Sequence, residues 1–392
     1  MPIADSRIAA PRAMRAAVYR GDRRVEVESL ATPQIGAGEL LIRVEACGIC
    51  HTDLKKIEHN LLTPPRIYGH ETAGVVAAVG EGVTAFAPGD GVIVFHHVPC
   101  KACFYCQRKL YAQCPTYKKV GVTAGYEPAG GGFSQYVRVM DWIVSQGVEK
   151  IPAGVSFERA SFVEPVNTCL KAVVQVDPRP DEVVAILGQG PIGLMFTMLV
   201  RRTGARTITT DTIARRRGLS LKFGAESCWD PRQPGFEEAI QKETRNRGAD
   251  LVIVAASGPG LVEQAVRCSR PGSRILLFAQ TSQKERIEVS GADICMGERT
   301  LCGSYSASVD LQKESADLVF SGDLPVEELI SHRVPLDRIR DGIELALHPG
   351  EQSLKIIIEP QSVNGAAELA VATGSALPSR AIVREYPERC SE

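Results

Sequence analysis

At 392 residues the chain exceeds what one hydrophobic core fills, so two domains are expected. Its 44% hydrophobic and 23% charged residues are those of an ordinary globular protein, and a net charge of -1 gives no electrostatic ground for a nucleic-acid or anionic-membrane partner. The most apolar stretch, residues 183–200, contains three glycines and a glutamine and cannot be read as a membrane span of ~20 lipid-facing residues. Residues 1–12 carry Asp5 and Arg7 and lack a signal peptide's apolar run, so the cytoplasm is the expected compartment.

The first half reads as β-rich. Apolar runs at 15–19, 39–46 and 74–79 are separated by Gly/Pro turns at 35–38 and 87–91, a pattern of a compact, partly open β-barrel. Two dense polar clusters lie in it, Gly48-Ile49-Cys50-His51-Thr52-Asp53 and Gly69-His70-Glu71. Four of the 12 cysteines then crowd together as Cys100, Cys103, Cys106 and Cys114. In a reducing compartment such crowding points to metal rather than disulfides. Four thiolates at this spacing can close a tetrahedral zinc site with no position left for substrate, which makes the role structural. A further carboxylate stands at Glu164 in Phe162-Val163-Glu164-Pro165.

From about residue 180 the rhythm becomes strand and helix in alternation. Strands are expected at 183–187, 207–210, 251–255 and 274–278, with a helix-like segment after the glycine loop running through 204 and a helix at 261–268, the pattern of βαβ units and a parallel sheet. The chain turns helical from about 310 and ends on a strand at 354–359, which suggests a return to the first domain. The tail beyond 360 is rich in Ala, Ser and Gly and is expected to be a flexible or peripheral arm. The expected fold is therefore α/β, with divisions at 14–166 (including a cysteine lobe at 96–116), 167–307, 308–360 and 361–392. No internal repeat is apparent.

Gly188-Gln189-Gly190-Pro191-Ile192-Gly193 is a G-x-G-x-x-G that follows an apolar strand and opens a helix, the context a dinucleotide pyrophosphate requires. Asp211, about twenty residues on, is placed to accept hydrogen bonds from ribose hydroxyls, favouring NAD over NADP. The run Arg215 to Arg217 is the counterweight, since an arginine there, Arg216 in particular, can meet an extra phosphate or the cofactor; otherwise the run reads as a solvated helix face. A catalytic zinc needs about three protein ligands and one open position. Cys50, His70 and Glu71 supply the types, Glu164 offers an alternative carboxylate, and Asp53 is suited to orient a ligand from behind.

Taken in order, G-I-C-x-T-D, G-H-E, the cysteine lobe, E-P and the glycine loop resemble the zinc-containing medium-chain alcohol and polyol dehydrogenases, over about 14–360. The resemblance implies a GroES-like catalytic domain, a Rossmann domain of doubly wound parallel sheet, two zinc ions per chain, NAD, and a homodimer or homotetramer. It assigns Cys50 and His70 as ligands, with Glu71 or Glu164 completing the set, and Glu164-Pro165 resembles the polyol branch; in the alcohol branch a cysteine serves near there, for which Cys169 is the candidate. It further implies zinc as a Lewis acid on a small alcohol substrate, Thr52 as acceptor of the hydrogen bond from the substrate hydroxyl, and hydride transfer to the nicotinamide. Departures stand at Lys55, where many relatives carry a relay histidine, at His51, and at Ser306-Ala307, where animal sorbitol dehydrogenases have Arg-Tyr. The proton route beyond Thr52 is thus left open between His51 and Lys55. The expected activity is oxidation of a secondary alcohol, polyol or similar. Threonine-type amino alcohols, primary or aromatic alcohols, and a non-catalytic nucleotide-binding role are the competing readings.

Overall fold

The structure, a computed structural model, describes residues 10–95, 97–117, 130–279 and 286–362; most of the expected tail, from 363 on, and residues 1–9 of the leader region lie outside them. The N-terminal half is antiparallel. Strand Ala13–Gly21 pairs with Arg24–Ala31 and with the short Arg66–Ile67, across a turn in which Asp22 and Arg23 take positive φ. Strand Leu40–Gly48 is the spine of a second sheet, pairing with Glu71–Val79 on one side and Tyr136–Val139 on the other. Its Leu40, Ile42 and Val44 are buried against Val18, Tyr19 and Val137 in one core. The strands 24–31, 136–139 and 148–150 were not expected from the sequence, being short or amphipathic with acidic residues interrupting the apolar period.

The last strand, Lys355–Glu359, joins this same sheet, with Ile357 opposite Gly48 and Ile358 opposite Cys47. Residues more than 300 apart in sequence therefore share one hydrogen-bonded surface. That pairing carries Lys355 to the Gly48–Cys50 corner.

The middle of the chain forms six parallel strands in the order Ser227–Trp229, Arg206–Thr210, Val183–Leu187, Ala249–Val254, Ser269–Leu277, Thr300–Gly303. Counted along the chain this is 3-2-1-4-5-6, the Rossmann order, whose ligand crevice lies at the carboxyl ends of the strands where the winding reverses. All five residues of Val183–Leu187 are buried, as a strand covered by helices on both faces requires.

Helix Val163–Val176 joins the two halves. Its Val166, Leu170 and Val173 share a core with Ala73 and Ile357 of one sheet and with Ile186 and Leu276 of the other. The expected division at 166/167 falls inside this continuous helix. Glu164 sits in its first turn, so a single rigid element carries that carboxylate from the interdomain core into the cleft.

Candidate metal centre and dinucleotide cleft

Strand Leu40–Gly48 leads through Ile49 to Cys50, which caps helix His51–Glu58; the Thr52 N–H donates to the Cys50 Sγ at 3.4 Å. Leu54 and Ile57 anchor that helix in the core, leaving Thr52, Lys55 and Lys56 on the cavity wall. Across the sheet, Gly69 takes φ +95 and turns His70 and Glu71 toward Cys50. Ligand atoms of Cys50, His70 and Glu71 lie within 4.8 Å of one another. Behind them Asp53, fully buried, meets His70 Nδ1 through Oδ1 at 3.1 Å. This fixes the ring so that Nε2 is the nitrogen left for a metal, the usual carboxylate–histidine arrangement.

Glu71 forms a buried ion pair with Lys355, which also donates to the Ile49 carbonyl at 3.1 Å. A Cβ on Gly48 would stand 1.8 Å from Glu71 Oε2 and 2.7 Å from Lys355 Cε, so only glycine leaves room for the pair. Lys355 was not foreseen; a lysine heading an otherwise apolar strand, Lys355-Ile356-Ile357-Ile358, was the available signal.

The electrostatics fit a divalent cation. Three buried carboxylates (Asp53, Glu71 and Glu164) and a thiol gather around one buried ammonium. Burial pushes the Glu164 carboxyl up to about 7, His70 opposing and Glu71 adding to the effect. Burial disfavours charge on His70, yet Asp53 and Cys50 outweigh it and hold its pKa well above the ordinary value. Both are marks of negative charge gathered without enough positive charge to balance it. Glu164 lines the same cavity but falls outside the closest donor set. Cys169 does not join it either. It packs in the apolar core, where burial raises its thiol pKa.

Cys100, Cys103, Cys106 and Cys114 also converge, with Sγ–Sγ separations of 3.9 Å (100–106), 3.5 Å (103–106) and 3.6 Å (100–114). A tetrahedron with Zn–S bonds of ~2.3 Å has edges of about 3.8 Å, so the lobe is already shaped for the ion.

One cavity of about 570 Å³ joins the Cys50 corner to the glycine loop. It is lined by Cys50, Thr52, His70 and Glu164 at one end and by Gly188, Gly190, Ile192 and Asp211 at the other. The three glycines differ in what they do. Gly188 takes φ +97, and a Cβ there would meet Ala256 at 2.6 Å. A Cβ on Gly193 would lie 1.9 Å from the Gly188 carbonyl oxygen. Gly190 faces open space, its nearest neighbour being Arg216 Nη1 at 4.0 Å, which is what close approach of a pyrophosphate needs. Pro191 starts helix Pro191–Arg202, whose first amides have no intrahelical partner. Asp211 accepts from the amides of Gln189 at 2.7 Å and Ile213 at 2.8 Å, bracing the loop. Two oxygens offer about four acceptor sites, so capacity for a ribose remains.

The three arginines are not the solvated face that their polarity suggested. Arg215 donates to the Gln352 carbonyl, Arg216 to that of Ser353 at 2.9 Å, and Arg217 to that of Asp211 at 2.8 Å. His51 lines the cavity, where surrounding protein and the Lys55 charge lower its pKa.

Metal-grade donors opening on a dinucleotide cleft define a metal-dependent dehydrogenase. The known families agree with that class. The pattern described as alcohol dehydrogenase GroES-like domain matches residues 36–152, and that described as zinc-binding dehydrogenase matches 191–321. The sorbitol dehydrogenase of Bacillus subtilis (strain 168) is 31% identical over 356 residues, 89% of this chain and 98% of its own. The L-threonine 3-dehydrogenase of Pyrococcus furiosus is 31% identical over 337 residues, 83% and 92% of the two chains. A crystal structure of a zinc-binding dehydrogenase from Sinorhizobium meliloti 1021, bound to NADP, is 30% identical with a TM-score of 0.81, covering 89% of this chain and 99% of that one. The chain belongs to the zinc-containing medium-chain dehydrogenase/reductase family, of the polyol dehydrogenase type. It is an oxidoreductase of the zinc-binding dehydrogenase kind. No helix among the described residues is long and apolar enough to cross a membrane.

Proposed function

We propose that the protein oxidises a secondary alcohol, a polyol or similar small hydroxylated compound, with NAD as acceptor. The observation that carries the reading is the continuity of one cavity from the Cys50–His70–Glu71 donors to Gly190 and Asp211. Cys50 and His70 hold the catalytic zinc, with Glu71 or Glu164 completing the set, and the four cysteines hold the structural one. Bound zinc supplies Lewis acidity, and bound NAD supplies the hydride acceptor. Asp53 orients His70, and Lys355 sets the Glu71 carboxylate. Thr52, at the wall of the substrate end, accepts a hydrogen bond from the substrate hydroxyl and begins the proton's route to solvent. His51 or Lys55, on the same helix, carries that route on to solvent.

The glycine loop and the Pro191–Arg202 N-terminus bind the pyrophosphate, with Ile192 against the dinucleotide. Asp211 accepts from the ribose hydroxyls and repels a 2′-phosphate, while Arg216 closes the adenosine end. The divisions at 14–166, 167–307 and 308–360 belong to this reading. So do a homodimer or homotetramer and a cytoplasmic location.

A substrate panel with NAD⁺ and NADP⁺, run with and without a zinc chelator, tests the proposal. Chelator-sensitive NADH formation on sugar alcohols is expected. No turnover of any polyol would overturn it. Equal 31% identity to the Pyrococcus furiosus threonine enzyme favours one second reading, an amino-alcohol substrate, and threonine therefore belongs in the panel.

A further inference from the structure

Strand Thr300–Gly303 leads into a segment whose Ser304, Tyr305 and Ser306 line the cavity. Ser306 takes φ +61, uncommon for a residue with a Cβ, so its surroundings must hold it there. Helix Val163–Val176 supplies two clamps. Asn167 Nδ2 donates to the Ser308 carbonyl at 3.0 Å and its Oδ1 accepts from the Ser308 N–H at 2.8 Å. One turn on, Lys171 Nζ donates to the carbonyls of Tyr305 at 2.6 Å and Ser306 at 3.3 Å.

The third clamp comes from the four-cysteine lobe. Tyr117 is wholly buried, packs on Cys106 and Cys114, and follows Cys114 by three residues. Its hydroxyl donates to the Ala307 carbonyl at 3.2 Å and lies 3.1 Å from Ser306 Oγ. A phenol has one proton, so with that proton on Ala307 the serine donates to the phenol oxygen. The Tyr117 ring also stacks on His97, centroids 5.1 Å apart, and His97 is itself part of the cavity wall. One buried tyrosine thus ties the cysteine lobe to two parts of the pocket lining.

We propose that Tyr117 is a positioning residue that fixes residues 304–307, the wall met by the far end of a substrate, to the four-cysteine lobe. The proposal rests on the alcohol-oxidising reading above. A five-carbon polyol reaches this wall and is sensitive to the clamp. A three-carbon secondary alcohol, held at the metal end, is not.

The test compares Tyr117→Phe, Ser306→Ala and the double variant in the zinc-loaded enzyme, on xylitol and propan-2-ol with NAD⁺. Zinc content and hydrogen–deuterium exchange over 304–308 are read alongside. One lost hydrogen bond corresponds to a rise in KM for xylitol of about three- to tenfold in Ser306→Ala, and Tyr117→Phe, which loses the bond to the Ala307 carbonyl as well, should rise at least as far. The double variant should rise no further than Tyr117→Phe alone, because the one bond that Ser306→Ala removes is already absent there. KM for propan-2-ol should stay within about twofold. Both zinc ions should remain, and exchange over 304–308 should quicken. An equal rise on both alcohols, multiplying effects in the double variant, or loss of one zinc from Tyr117→Phe would overturn the proposal. Should the parent enzyme oxidise neither alcohol, the functional reading fails, and exchange then decides alone: unchanged exchange in Tyr117→Phe overturns the clamp and faster exchange upholds it.

Discussion

Asp53 touches no substrate and has no exposed surface, yet it sets the chemistry of its neighbour. With Oδ1 on His70 Nδ1 at 3.1 Å, it fixes which ring nitrogen faces Cys50 and Glu71. Asp53→Asn keeps the shape and removes the charge. Such partners behind a metal ligand typically account for 10- to 100-fold in metal affinity, so a weakening of about that size is expected at the catalytic site alone. Chelator competition reads it directly, and unchanged zinc retention would count against the assignment. At the other end of the cavity, Gly193→Ala places a methyl 1.9 Å from the Gly188 carbonyl oxygen, a backbone atom that cannot swing aside. The loop must shift, and the NADH dissociation constant should rise by more than about tenfold for a cost above ~1.4 kcal/mol. Quenching of NADH fluorescence measures this. Binding within error of the parent would mean that the loop does not contact the dinucleotide.

At the scale of elements, legibility followed how local the signal was. Strand 183–187 and helix 261–268 were read to the residue because an unbroken apolar run and a 3.6-residue period are each complete within one segment. Cys50, His70 and Glu71 were legible as types, but their convergence depends on pairing between Leu40–Gly48 and Glu71–Val79, which no local pattern states. Lys355 was missed for the same reason, its partners Glu71 and Ile49 being supplied only by the chain's return. The arginine run was misjudged because acceptors at 352 and 353 lie far off in sequence.

Glu39 shows how such distant pairing holds an element in place. Its carboxylate takes a bidentate bond from Arg138 of strand Tyr136–Val139, at 2.7 and 2.6 Å, and one from the Gly36 amide at 2.6 Å. Burial opposes the charge, but Arg138 and Gly36 outweigh it and lower the pKa from 4.5. A carboxyl with a depressed folded-state pKa stabilises above its unfolded pKa, and that contribution is lost as pH falls through the folded value. Glu39→Gln should therefore cost about 2 kcal/mol at pH 7. The gap between variant and parent should narrow as pH falls below the ordinary carboxyl range and close once it passes the lowered folded value, as denaturant melts over a pH series will read. A gap that persists undiminished in acid would show that packing rather than charge is lost.

Across the whole molecule, the metal corner is assembled from three distant stretches: 50–53, 70–71 and the returning strand at 355. This has a consequence for stability that separates structure from catalysis. In the zinc-free protein Lys355 is the buried cation that balances Glu71. Lys355→Met keeps the strand and its apolar stem but leaves Glu71, 1% exposed, without its counter-charge. Breaking a buried pair from one side costs about 3–5 kcal/mol, most of it the penalty of the stranded charge. If Glu71 is the third zinc ligand, the metal takes over that charge, and the loss should be several kcal/mol in zinc-free protein but much smaller in zinc-loaded protein. If Glu164 is the ligand instead, Glu71 stays stranded either way and the two losses should match. Thermal melts of parent and Lys355→Met, each stripped and reloaded, therefore decide between the two glutamates through stability alone, without an assay of turnover.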